Sequence, residues 1–164
     1  MTNPPNRGTP SGGLVMSPFD HVRAQLARQK WAVDTHNEGV LYNIYARDCV
    51  LLLKQDGLKE LGRLAGRAEV IAMMVKGWNQ DHAWRPGSMI HVIGTSLLET
   101  APEGMIRSWC YATYVHLSET GATEMRGYGK YYDLWAEEDH IWRLREREVH
   151  IFGLQLHKLA PTTE

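Results

Sequence analysis

Gly129-Lys130-Tyr131-Tyr132-Asp133-Leu134-Trp135-Ala136-Glu137-Glu138-Asp139-His140-Ile141-Trp142-Arg143-Leu144 decides how the second half of the chain folds. Aromatic side chains suit a pleated backbone, and the polar cluster from Glu137 to His140 separates two such runs, the pattern of a hairpin. Extended outward, the first strand occupies Glu124 to Ala136 with Tyr128, Tyr131, Tyr132 and Trp135. The second occupies Ile141 to Phe152 with Trp142, Leu144, Val149 and Ile151. Arg143, Arg145 and Arg147 alternate with Leu144, Glu146 and Glu148, which reads as a solvated face with cross-strand ion pairs. Asp48 and Asp133 read as turn and backbone partners. Upstream, Met105 to Leu117 is a further long strand. Met89 to Ile93 is another, interrupted at Gly94 and continued by Ser96 to Glu99.

The first half has a different period. Ser17-Pro18 is a helix start, with Ser17 as N-cap and Pro18 at the first helical position. Phe19, Val22, Leu26 and Val33 then recur at helical spacing, with Lys30 and Trp31 between them. A short second helix carries Leu41, Ile44 and Tyr45 and ends at Arg47-Asp48. Cys49 to Leu53 is a buried strand, Gln55 to Gly66 a loop or single helical turn, and Arg67 to Trp78 a third helix. Asn79 to Ser88 is a loop. Helices first and about four long strands after them make an α+β order. Long curling strands packed on helices leave a concave face, so the expected fold is a cone with a central pocket.

Composition narrows the function. The 164 residues are 43% hydrophobic and 23% charged with a net charge of −1, which fits one domain with a full core. That balance gives no footing for nucleic acid, and no apolar run is long enough to span a bilayer. Residues 1–17 read as a disordered tail without a hydrophobic leader segment, 18–157 as the single domain and 158–164 as a C-terminal tail. Cys49 and Cys110 both lie in apolar strands and read as free buried thiols, as in a reducing, cytoplasmic setting. His21, His36, His82, His116, His140, His150 and His157 show no His-Glu-x-x-His spacing, so no metal site is expected.

Asp34 is the unusual residue of the first helix. A carboxylate on the core-facing stripe must be partnered or protonated. From the residues alone it reads either as a helix-ending carboxylate beside Asn37 and Gly39 or as half of an acid–base pair. His91, in the Met89–Ile93 strand, reads either as a core or edge histidine bonded to backbone or as the other half.

Three patterns together resemble the NTF2-like superfamily, and within it the SnoaL-like and scytalone dehydratase-like proteins. Val33-Asp34 with Glu38-Gly39, Leu41, Tyr45 and Asp48 resembles the group's first-helix acid and the approach to its first strand. Ile90-His91 with Gly94-Thr95 resembles its histidine strand. Gly129, Tyr131 and Asp133, followed by Asp139, Trp142, Arg143 and Arg147, resemble its closing hairpin. The likeness spans roughly residues 19 to 152. It implies a curved mixed or antiparallel sheet wrapped around three N-terminal helices, and a catalytic dyad of Asp34 and His91. It also implies self-association as dimer or trimer, and it admits members that only carry ligands or serve as small subunits of ring-hydroxylating oxygenases. Dehydrohalogenase members carry a lysine at the position of Gln29 and an arginine near Glu137 and Glu138. Neither stands at those positions here, which argues against a halogenated substrate.

The chemistry expected of such a pair is general acid–base catalysis. A carboxylate on one imidazole nitrogen fixes the tautomer, and the other nitrogen takes a proton beside a carbonyl or aromatic ring. Loss of water, double-bond migration and aldehyde-releasing cleavage all fit, and none needs a metal or organic cofactor. Tyr45 and Tyr131 are the expected hydrogen-bond donors to a small hydroxylated aromatic or cyclic substrate, with Tyr42 beside them. Trp109, Tyr111, Trp135 and Phe152 are the expected walls, and His116 and His150 further cavity candidates.

Overall fold

The computed structural model describes residues 16–80 and 85–153. The expected C-terminal boundary at 157/158, His82 and His157 lie outside the described residues. The first helix, α1 (Pro18–Asp34), begins as its sequence dictates: the Ser17 side chain accepts from the Asp20 amide, and Pro18 fills the first turn. Its buried face carries Val22, Leu26, Ala32 and Val33, but also Gln25, Gln29 and Lys30. The second helix, α2 (Glu38–Ile44), is capped by Asn37, whose side chain accepts from the Val40 amide. It stops one residue before Tyr45, which opens strand β1 (Tyr45–Gln55) rather than ending the helix.

The stretch expected as a loop after Gln55 is a strand, β2 (Lys59–Ala65), antiparallel to β1. Asp56 and Gly57 both take positive φ, 52° and 73°, and turn the chain back. As an edge strand it buries only Leu61 fully, so its sequence lacks a clear apolar alternation. Helix α3 (Arg67–Gln80) follows, with Val70 and Ile71 fully buried.

The remaining strands are β3 (Met89–Ile93), β4 (Leu97–Thr100), β5 (Ile106–Leu117), β6 (Thr123–Glu138) and β7 (Ile141–Phe152). Gly94 divides what would be one strand: β3 pairs with Ala112–His116 of β5 and β4 with Ile106–Trp109. The sheet runs β2-β1-β7-β6-β5-β3, antiparallel throughout except for the parallel β1–β7 pair. It is a curved, unclosed mixed sheet with three helices, the NTF2-like α+β fold.

A single extra residue sets the chemistry of the concave face. Leu134 pairs with Glu146 and Trp135 with Leu144, so Arg145 bulges from β7. The bulge shifts the parity by one, and Leu144, Arg147, Val149 and Ile151 all turn inward. The arginines are therefore not one solvated face: Arg147 is 3% exposed, Arg143 is buried, and Arg145 alone faces out.

Candidate active site

A cavity of about 280 Å³ lies between the concave sheet and the helices. α1 contributes Gln29, Lys30 and Val33, and α3 contributes Met73, Met74 and Gly77. The sheet contributes Tyr45, Leu51 and Leu53 from β1, and Met89 and His91 from β3. Tyr114 comes from β5, Tyr131 from β6, and Arg147, Val149 and Ile151 from β7. The wall is thus mostly apolar, with a few polar groups converging on it.

Asp34 ends α1 and meets β3 across 57 positions of sequence. Its Oδ1 lies 2.5 Å from His91 Nδ1, and its Oδ2 accepts the His91 backbone N–H at 3.0 Å. The two contacts fix both the ring and the strand that bears it. The edge of the His91 ring also packs against Tyr114, with centroids 5.0 Å apart. Burial lowers the His91 pKa below its ordinary value, and the Asp34 hydrogen bond opposes this only in part. The imidazole is therefore neutral at physiological pH, with Nδ1 held by Asp34 and Nε2 left for another partner.

The phenols form a second group. Tyr114 and Tyr131 share a 2.9 Å hydrogen bond, and Tyr45 accepts one from Gln29 Nε2 at 3.0 Å. Burial raises Tyr45 and Tyr114 to about 12 and Tyr131 well above its ordinary value, so all three remain neutral donors. Gly129 makes their arrangement possible. A Cβ there would stand 2.2 Å from Tyr114 Oη and 3.2 Å from the Tyr131 ring. Gln29 Oε1 is buried without a hydrogen-bond partner among the described residues.

Arg147 is held by Asp133 through two bonds of 2.7 Å, with both side chains essentially unexposed. Burial works against the guanidinium charge, and Asp133 more than restores it, so the net shift is upward. Asp133 thus serves this ion pair rather than a turn. Lys30, 4% exposed, places Nζ 3.4 Å from the centroid of Tyr131. Lys30 and Arg147 line this cavity, at positions other than Gln29, Glu137 and Glu138.

The structure brings Asp34, His91, Tyr45 and Tyr131 together and leaves the other expected residues elsewhere. Tyr42 is 38% exposed on α2, with Arg67 over its ring. Tyr111 is 63% exposed on the outer sheet face, and Trp109 lines a groove on that face with Tyr132. Phe152 stacks on Tyr128, and His150 contacts Glu148 and Tyr132, both pairs on the outer side. Trp135 is inward but sealed in the core, its Nε1 donating to Ser108 at 2.9 Å. His116 is half-buried on β5 and is not among the lining residues. In β5 and β7, alternate side chains go to opposite faces, so inclusion depended on a parity that the bulge obscures. Lys30, Tyr114, Gln29 and Arg147 were missed. For Lys30 and Gln29 a signal existed: both fall on the stripe that joins Leu26 to Val33 and Asp34.

Among the described residues no three His, Cys, Asp or Glu side chains gather as a metal site, and no helix is long and apolar enough to cross a membrane. The SnoaL-like domain family matches residues 19–148. No curated protein matches the chain. Among solved structures, Aln2 from a Streptomyces species is similar at 19% identity, with 82% of this chain and 92% of that one covered and a TM-score of 0.66. The beta subunit of a putative aromatic-ring-hydroxylating dioxygenase from Novosphingobium aromaticivorans is similar at 15% identity, covering 85% and 92%, TM-score 0.68. ActVI-ORFA from Streptomyces coelicolor is similar at 16% identity, covering 82% and 98%, TM-score 0.66. At these identities the likeness is one of fold.

Proposed function

This chain belongs to the SnoaL-like domain family, and from that premise we propose that it is a cofactor-independent lyase or isomerase. Its substrate is a small hydroxylated aromatic or cyclic molecule. His91 Nε2 removes a proton beside a carbonyl or ring, and the resulting imidazolium returns it to a leaving hydroxyl or to a new carbon. Asp34 holds the tautomer and offsets the imidazolium charge. Tyr45 and whichever phenol of the Tyr114–Tyr131 pair keeps its O–H free of the other donate to the oxygen on which charge develops, and Gln29 Oε1 accepts from a substrate hydroxyl. The observation that carries this reading is the Asp34–His91 contact inside an apolar cavity. The test is a panel of hydroxylated aromatic and cyclic carbonyl compounds, followed for loss of water, double-bond migration or aldehyde release. Turnover that falls in both His91→Ala and Asp34→Asn supports the reading, and a turnover indifferent to both overturns it.

A second reading has its own support. Tyr111, Met125 and Leu97 expose large apolar area on the sheet, and the chain resembles a beta subunit in fold. On that reading the protein is a non-catalytic binding or assembly module. Self-association as dimer or trimer through the outer face fits either case. A purified chain that turns over nothing in the panel, yet binds a partner subunit or ligand, favours the second.

A further inference from the structure

Lys30 has no part in the acid–base reading. It lies on the buried face of α1 and lines the same cavity as His91. The carboxylates near it are committed elsewhere. Asp34 gives one oxygen to the His91 ring and the other to the His91 backbone, and Asp133 gives both to Arg147. Among the described residues the contact recorded for Nζ is the face of Tyr131, which an N–H of a neutral amine also suits. A buried ammonium with no counter-ion is unfavourable, so the lower-energy form is the amine. Burial, then the Arg147 guanidinium, hold Lys30 well below its ordinary pKa; Cys110, Asp133 and Asp34 pull the other way without restoring it. An uncharged amine in an apolar cavity is the arrangement in which lysine attacks carbonyl carbon.

We propose that Lys30 is a nucleophile that forms an imine with a neutral carbonyl compound bound in the cavity. The inference rests on the cavity being a small-molecule site and not on the Asp34–His91 pair being catalytic. The Nζ lone pair adds to the carbonyl carbon, forming a C–N bond as the π pair moves to oxygen. That oxygen takes one proton and nitrogen gives one up, leaving a carbinolamine. A further proton on the hydroxyl lets water depart with the C–O bonding pair. The nitrogen lone pair then closes the C=N bond and its remaining proton leaves. The sum is amine plus carbonyl giving imine plus water, with nothing oxidised. The His91 ring lines the same cavity, and its Nε2 relays these protons. Once protonated, the C=N draws electrons from the adjoining carbon, which assists elimination, isomerisation or retro-aldol cleavage equally. With Arg147 neutralised by Asp133, the cavity favours an uncharged carbonyl compound over a carboxylate.

The test uses the wild-type chain with benzaldehyde and sodium cyanoborohydride at neutral pH, read by peptide mass mapping. One benzyl group is expected on Lys30, appearing at least about tenfold faster than on the exposed Lys59 and Lys76. Lys30→Met removes that adduct and keeps the slow labelling of the others. Labelling of Lys30 no faster than the exposed lysines overturns the proposal. The comparison is internal to one wild-type protein, so it does not depend on how well a variant folds. Turnover that needs Asp34 and His91 without any Lys30 adduct overturns the imine alone. A Lys30 adduct with turnover indifferent to Asp34→Asn and His91→Ala overturns the acid–base reading alone.

Discussion

Two acid–base pairs stand on the concave side of one sheet, and they differ in what they leave open. In the Asp133–Arg147 pair both carboxylate oxygens and two guanidinium nitrogens are consumed, and neither side chain reaches solvent. In the Asp34–His91 pair both carboxylate oxygens are consumed, but the imidazole keeps a nitrogen, and its ring lines the cavity. A saturated pair fixes strands in place. A pair with one group to spare is fixed just as firmly and can still exchange a proton. Burial alone would not have separated them.

Removing one member of the saturated pair should show the largest effect on stability. Arg147→Met leaves Asp133 buried without a cation and should cost about 3–5 kcal/mol, read from the urea midpoint. Adding Asp133→Leu should recover much of that loss. A single-variant cost below about 1 kcal/mol would remove the distinction between the two pairs. For the open pair the effect should fall on rate. His91→Ala is expected to lower turnover about 10²–10⁴-fold while the urea midpoint moves far less than in Arg147→Met.

The pH dependence sharpens the same contrast. The folded state binds the His91 proton less tightly than the unfolded chain does. The stability this group contributes is therefore complete above about pH 6.5 and declines as the pH falls from there through its depressed folded value. The acid limb of kcat/KM should likewise lie below about pH 6.5; a limb above that value would show that the charge of Asp34 outweighs burial. A smaller effect is expected where the two pairs meet through the phenols. Gly129→Ala drives a methyl into Tyr114 Oη and should destabilise by about 1–3 kcal/mol, with a loss of activity from the displaced Tyr114–Tyr131 bond. The smallest belongs to the outer face: Tyr111→Ser should leave the isolated chain within about 0.5 kcal/mol. A larger shift that depends on protein concentration would reveal a partner on that face.

The Ser17-Pro18 start, the α1 stripe, the Gly94 break and the Glu137–His140 turn were all legible, because each is a local backbone preference written in local residues. β2 was not read as a strand, although Asp56-Gly57 marks its turn, because an edge strand needs few apolar side chains. The resemblance of the closing hairpin now has a physical content. Gly129 leaves room for Tyr114, Tyr131 reaches the cavity, and Asp133 meets Arg147. Of the aromatic walls expected, Trp109, Tyr111 and Phe152 went to the outer face and Trp135 into the sealed core. Whether a strand residue faces in or out is a parity, and an extra residue at Arg145 reverses it.

Apart from β2, the sequence by itself determined the order of helices and strands, and through Asp34 and His91 it named two groups that need a partner. Periodicity and capping act over a few residues, so one chain carries them openly. Only the tertiary structure decided that these two groups are each other's partner, that Arg147 is sealed by Asp133, and that Lys30 shares the cavity. Those facts depend on strand register and on which elements meet across long stretches of chain, and no local pattern encodes a distance between residues 57 positions apart.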